Sequence, residues 1–223
     1  MRIHGLYAIV DSSTNAGVPL DQLSEDYVRG GARIVQWRDK KRKESSTSEK
    51  KFREIATEIS SLKKDYDFLF IVNDDLEVAL EVMADGIHVG KDDSSIPECR
   101  KILGPSKLIG YSSHSLEEAL EAEKQGADYV AFGAIFPTAT KGPGHPVQGI
   151  EKLRQVVQAL KVPVVAIGGI GRHNIQDVLA TGVASVAMIS ALAKADTHQE
   201  RINEVQYLAD RIIYENNFNH RRL

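Results

Sequence analysis

The stretch Ile71–Asp93, IVNDDLEVALEVMADGIHVGKDD, decides the fold. It begins inside the apolar run Phe68–Val72 and breaks at Asn73-Asp74. A helical pattern follows over about Leu76–Met83, then a second apolar run, Gly86–Val89, leads into Lys91-Asp92-Asp93. Two strands joined by one helix run parallel and start at the same edge of a sheet, so their carboxyl ends converge. One βα step therefore delivers two carboxylates, Asp74 and Asp93, to one rim. Hard oxygen ligands at neighbouring strand ends suit Mg2+, which takes one or two carboxylates and completes its shell with water and phosphate oxygens. Asp after a strand is also a preferred helix N-cap, and that plainer reading stands for either residue taken alone.

The same unit repeats along the chain. Strand-like runs are Leu6–Val10, Arg33–Trp37, Phe68–Val72, Gly86–Val89, Leu108–Gly110, Tyr129–Phe132, Val164–Ile167 and Ser185–Ala187. Eight such runs alternating with helical patterns argue for a single closed sheet, an α/β fold of the (β/α)8 TIM-barrel type. The expected organisation is one domain over residues 1–223, with about 215–223 as a frayed tail because ENNFNHRRL has no apolar period. Ser115-Leu116-Glu117-Glu118 reads as a capping box, and Gly126 as the left-handed residue ending that helix. Met83-Ala84-Asp85-Gly86 and Thr181–Ser185 repeat this helix-to-strand grammar at irregular spacing. Two stretches break the rhythm. Lys40–Lys50, KKRKESSTSEK, reads as a solvated loop; Thr138–Gln148, TATKGPGHPVQ, has the Gly and Pro content of lids and binding loops.

At 223 residues and 42% hydrophobic content the chain can bury a sizeable core. No apolar run is long enough to span a bilayer, and the N-terminus reads as a first strand rather than a signal peptide. Cys99, the single cysteine, has no internal disulfide partner, which fits a reducing cytoplasm. A net charge of −3 offers no general attraction to nucleic acid or anionic lipid, so any phosphate recognition must be local.

Reactive groups of a barrel sit just past the carboxyl ends of the strands. Those positions hold Asp11; Gln36, Arg38 and Lys40; Asn73 and Asp74; His88, Lys91 and Asp93; Ser112 and His114; Thr138, Thr140 and Lys141; Gly168-Gly169; and Ser190. Strand alternation puts Gln36, Arg38 and Lys40 on one side and turns Trp37 to the helix layer. Gly168-Gly169-Ile170 reads as a backbone-amide cup for a phosphate, with Ser190 beside it. Arg38, Lys40, Asp74 and Asp93 form a second constellation: two cations and a metal held by carboxylates neutralise a diphosphate, Arg as a fork and Lys as a point charge. Thr138, Thr140 and Lys141 are placed to close over an anion. His114 is a candidate acid or base, His88 a packed or hydrogen-bonded residue on the strand itself, and Cys99 inert.

These residues resemble the thiamine phosphate synthase family from Leu6 to about Leu192. Gln36-Trp37-Arg38-Asp39-Lys40 is similar to its Gln-x-Arg-x-Lys, which implies that Gln36, Arg38 and Lys40 hold the pyrimidine and its diphosphate. Asn73-Asp74 and Asp93 resemble the diphosphate Asn and two Mg2+ ligands. Gly110–His114 is similar to Gly-x-Ser-x-His, placing Ser112 near the pyrimidine. Pro137–Lys141 looks like the loop whose threonines and lysine contact the thiazole phosphate and diphosphate, and Gly168-Gly169 with Ile189-Ser190 like the thiazole-phosphate cup. Lys91 stands where the family writes Gln, and Trp37 and Tyr111 are bulkier than its usual residues.

The resemblance implies a transferase that joins a pyrimidine diphosphate to a thiazole phosphate by Mg2+-assisted dissociative substitution. Arg38, Lys40, Lys141 and Ser112 are its expected catalytic residues. Small molecules are the expected partners, with no nucleic acid and no membrane; a homo-oligomer is compatible with the sequence. Two alternatives stay open on the same barrel, a thiazole tautomerase and a non-catalytic phosphate-binding protein.

Overall fold

Eight parallel strands close on themselves in sequence order in the computed structural model, which describes residues 3–14, 17–42, 44–138 and 146–220. The strands are β1 (Gly5–Asp11), β2 (Ile34–Arg38), β3 (Leu69–Asn73), β4 (Gly86–Val89), β5 (Leu108–Ser113), β6 (Tyr129–Gly133), β7 (Val164–Ile167) and β8 (Ser185–Met188). Each is followed by a helix: α1 (Leu20–Arg29), α2 (Ser46–Ser61), α3 (Leu76–Glu81), α4 (Ile96–Leu103), α5 (Leu116–Lys124), α6 (Gly149–Ala159), α7 (Ile175–Leu179) and α8 (Ser190–Ala193). A final helix, α9 (His198–His220), packs against α1 and β1.

The expected α/β barrel is thus the observed one. The largest departure among the strands is β5, which continues past Gly110 because Ser112 and Ser113 pair with Ala131 and Phe132. Polar residues are tolerated there because each hydroxyl has a partner: Ser113 Oγ donates to the carbonyl of Ala131, and Ser112 Oγ meets His88.

Register carries the inward face around the barrel without a parity break. Ile9 pairs with Gln36, Gln36 with Ile71, Asn73 with His88, His88 with Gly110 and Ser112 with Ala131. Ile3, Ile9, Ile34, Leu69, Ile71, Val165 and Ala187 form the apolar interior. Towards the carboxyl ends the inward positions turn polar, with Gln36 then Arg38 on β2 and Ile71 then Asn73 on β3. Outward positions build the larger core under the helices. Trp37, 1% exposed, stacks on Phe52 of α2 at 5.2 Å and donates its indole N–H to the Phe52 carbonyl. A side chain of this size contributes about 1.5–3 kcal/mol by burial.

Three local expectations are corrected. At Ser115 only half the capping box forms: its hydroxyl accepts from Glu118 N, but the Glu118 carboxylate accepts from His114 N instead of reaching back to Ser115. The complete box lies at Ser95 and Glu98, where α4 begins. Lys40–Lys50 is not a plain solvated loop. Arg42 is buried, bonds Asp75 at 3.2 Å and lies over the Phe52 ring, while α2 begins at Ser46 behind its Ser45 cap. The segment after Tyr214 continues α9 to His220, and Gln176 donates to the Glu215 carboxylate at 2.9 Å, tying it to the barrel. A helix can be held by such polar contacts where it lacks an apolar stripe.

The α1–α9 contact has a charged centre. Asp26, fully buried, pairs with Arg201 Nε at 2.7 Å and with His198. No helix of the described residues is long and apolar enough to cross a membrane.

Candidate active site

A cavity of about 810 Å3 opens at the carboxyl ends of the strands. Its walls include Gln36, Arg38, Asn73, Ser112, Thr138, Gly168, Gly169, Ile189 and Ser190, so the structure brings these sequence candidates to one place. Lys40, Asp74 and Asp93 form no part of its wall and group beside it on the rim. Thr140 and Lys141 lie outside the described residues.

On that rim Lys40 Nζ bonds the Asp74 carboxylate at 2.6 Å. Asp74 has φ 61°, a left-handed conformation that Asp and Asn tolerate better than most residues. Its plainer reading as a helix cap does not hold, since Asp75 caps α3 by accepting from Val78 N at 3.0 Å. Asp93 accepts from Gly90 N at 2.9 Å. Burial raises the Asp74 pKa most; Lys40 opposes this, and the adjoining Asp93 carboxylate adds to it. Two carboxylates held against one another, one of them largely buried, form a site whose charge a divalent cation would relieve. Among the described residues no cluster of three or more His, Cys, Asp or Glu could hold a metal. The pair therefore fits a hard cation that draws its other ligands from water or substrate rather than a protein-caged metal. Lys91 is exposed and forms no ion pair among the described residues.

Next to the rim, Arg38 pairs with Asp11, which is 1% exposed and directly opposite in register. Asp11 also accepts from Ser13 N at 2.9 Å. Both carboxylate oxygens are thereby engaged, and the guanidinium is held at the cavity wall. Asn73, on the neighbouring strand, is buried, and its Nδ2 has no hydrogen-bond partner among the described residues. An amide N–H2 left this way at a cavity wall is a donor awaiting an acceptor.

Across the cavity, Gly168 and Gly169 have φ 103° and 67°, and a Cβ on either would fall within 2.6 Å of Ala134 or of the Pro137 carbonyl. Their own carbonyls are occupied: Phe136 N donates to Gly168 O at 3.0 Å, and Asn174 Nδ2 to Gly169 O at 2.9 Å. The β7 loop is thus a fixed glycine cradle pinned from the β6 loop and from Asn174. This geometry suits the approach of an anion to main-chain N–H groups.

The cavity floor holds a bonded chain of polar groups that the sequence reading did not assemble. Gln36 Nε2 donates to Tyr7 OH at 2.8 Å, Tyr7 OH meets Tyr129 OH at 2.9 Å, Tyr129 OH meets His88 Nδ1 at 3.2 Å, and His88 Nε2 meets Ser112 Oγ at 2.8 Å. His88 is the buried, hydrogen-bonded strand residue expected, and it also lines the cavity. Tyr7 and Tyr129 were hidden as members of apolar runs, yet their parity with Ile9 and Ala131 marks them as inward-facing. Asp11 was legible only as a strand end; its register with Arg38 was the missing signal. His114 Nδ1 donates to the Gly133 carbonyl, 2.6 Å away, which requires a proton on Nδ1. Trp37 and Tyr111 pack against the helix-side core and leave the cavity walls untouched. Cys99 is buried on α4, and burial raises its thiol pKa.

Fold and cavity together define a (β/α)8-barrel protein whose carboxyl rim carries two anion-receptive regions facing one space. The sequence model of the family described as thiamine monophosphate synthase matches residues 6–192, and the chain belongs to that family. It is 43% identical over 195 residues to a thiamine-phosphate synthase of Shouchella clausii, covering 87% of this chain and 91% of that protein. To a thiamine-phosphate synthase of Archaeoglobus fulgidus it is 42% identical over 206 residues, covering 92% and 93%. The solved thiamine phosphate pyrophosphorylase from Pyrococcus furiosus superposes with a TM-score of 0.82 at 37% identity, covering 95% of this chain and 98% of that one.

Proposed function

We propose that the protein is a transferase of thiamine biosynthesis that joins 4-amino-2-methyl-5-(diphosphooxymethyl)pyrimidine to a thiazole phosphate, releasing diphosphate and forming thiamine phosphate. One observation carries the reading. Arg38 and the unpartnered Asn73 amide line the same cavity as the Gly168–Gly169 cradle, so a diphosphate and a monophosphate have separate receptors in one space. The tautomerase alternative has no need of the cationic rim or the paired carboxylates.

The chemistry needs no protein nucleophile. The C–O bond to diphosphate breaks, the electron pair leaves with the diphosphate, and the thiazole nitrogen donates its pair to the pyrimidine methylene carbon. Arg38, braced by Asp11, offers a fork to the departing oxygens, and Asn73 Nδ2 adds a neutral donor. Lys40 and, from the sequence resemblance, Lys141 add charge. Gly168, Gly169 and Ser190 hold the thiazole phosphate so that its nitrogen meets the electrophilic carbon. Asp74 and Asp93 are the residues to hold Mg2+, which would supply charge neutralisation of the diphosphate when bound.

The test supplies both substrates and Mg2+ to the purified protein and follows thiamine phosphate and diphosphate. One diphosphate per thiamine phosphate, suppressed by EDTA, is expected. Absence of coupling with both substrates and metal present overturns the proposal, and coupling indifferent to EDTA overturns its metal-assisted part.

A further inference from the structure

We infer that Tyr7, Tyr129 and His88 are positioning residues that set the donor and acceptor sense of the pyrimidine pocket, so that the site accepts an amino group and rejects an oxo group at the same ring position. The inference rests on the function proposed above and goes beyond it, because these three residues act through Gln36 and Ser112.

The argument is one of hydrogen counting. Gln36 Nε2 can only donate, so Tyr7 OH accepts from it at 2.8 Å and its own hydrogen goes to Tyr129 OH at 2.9 Å. Tyr129 in turn gives its hydrogen to His88 Nδ1, 3.2 Å away. A His88 Nδ1 that accepts leaves the ring proton on Nε2, which donates to Ser112 Oγ at 2.8 Å. Every link then points the same way, from β2 across the barrel to β5. At one end the remaining polar atom of the Gln36 amide is its carbonyl oxygen, an acceptor. At the other, Ser112 keeps its hydrogen to donate.

The surroundings hold this sense in place. Tyr7 is 1% exposed and Tyr129 fully buried, and burial pushes both phenol pKa values up, so each keeps the hydrogen that its link requires. The His88 and Tyr129 rings stack at 5.6 Å. Gly110 makes the space: a Cβ there would lie 2.0 Å from Tyr129 Cζ and 2.5 Å from His88 Nδ1. Turning the Gln36 amide would leave two oxygens facing each other at Tyr7 unless every downstream proton moved as well. A ligand that meets Gln36 with an amine finds an acceptor; one that meets it with a carbonyl finds another oxygen.

The experiment compares coupling of the 4-amino pyrimidine diphosphate with that of its 4-oxo analogue, in the wild type and in Tyr7→Phe. The wild type is expected to favour the amino substrate by about a hundredfold or more in kcat/KM. In Tyr7→Phe the amide is released to turn, and the preference should fall by about tenfold or more while the KM for thiazole phosphate stays unchanged. An undiminished preference in a folded Tyr7→Phe protein overturns the inference; a wild type that couples neither pyrimidine overturns the proposed function and this inference with it. Nitrogen-15 NMR of labelled histidine gives a second reading that needs no variant and no substrate. It should find the His88 proton on Nε2, and a proton on Nδ1 alone would reverse the chain and end the argument.

Discussion

Asp11 at the end of β1 and Arg38 at the end of β2 are register partners whose side chains form an ion pair, with Asp11 1% exposed and Arg38 18% exposed. Removing one member of a largely buried pair leaves the other uncompensated, at a cost of about 3 kcal/mol. Asp11→Ala should therefore lower stability by about that amount in urea titration and reduce kcat by about tenfold or more, since Arg38 loses its brace. A variant with wild-type kcat would show that Arg38 needs no such support.

The paired carboxylates lead to a thermal measurement independent of turnover. Mg2+ should raise the melting temperature of the wild type and leave Asp74→Asn and Asp93→Asn unmoved. Asn suits position 74 because its left-handed backbone is open to Asn and strained for Ala. In metal-free buffer at neutral pH, Asp74→Asn should melt no lower than the wild type, because the fold raises this carboxyl's pKa and so opposes its charge. A fold that raises a carboxyl pKa gains full benefit only below the unfolded value and loses it as pH rises through the folded one. Equal Mg2+ shifts in all three proteins would remove these aspartates from the metal site.

The glycine cradle should not accept a side chain. Gly169→Ala places a Cβ 2.6 Å from the Pro137 carbonyl at φ 67°. Strain of about 1–3 kcal/mol should appear in urea titration, and the KM for thiazole phosphate should rise by about tenfold. Unchanged affinity would mean that the phosphate sits elsewhere.

Cys99 provides the pH prediction. Burial raises its thiol pKa, so less thiolate is present at any given pH and the native protein should resist iodoacetamide. The fold favours the neutral thiol; this contribution is complete below the ordinary thiol pKa and fades as pH climbs through the folded value. Labelling at pH 8 should be at least about tenfold slower in native buffer than in urea, and equal rates would contradict the burial.

The barrel was legible because its signal is periodic and redundant: eight apolar runs at one-sided polar ends survive an error of a few residues in any of them. β5 shows the limit, since its last two serines read as lying past the strand end and are strand through their partners on β6. Gln36, Asn73, Ser112 and the two glycines could be located from strand ends alone. What escaped depends on pairing between distant segments. Asp11 gains meaning from Arg38, and Tyr7 from Tyr129, 122 residues away. Ser95 with Glu98 and Ser115 with Glu118 have the same spacing, yet only the first closes a box, because Glu118 is drawn to His114.

Because β1 bonds to β8 and α1 clasps α9 through Asp26 and Arg201, the first and last elements of the barrel complete each other. A ribosome emits β1 long before β8, so throughout translation the emerging sheet has two raw edges and Asp26 lacks its guanidinium. Closure consequently waits for β8 and α9, and a message cut short upstream of Ser185 would yield an open, edge-exposed sheet.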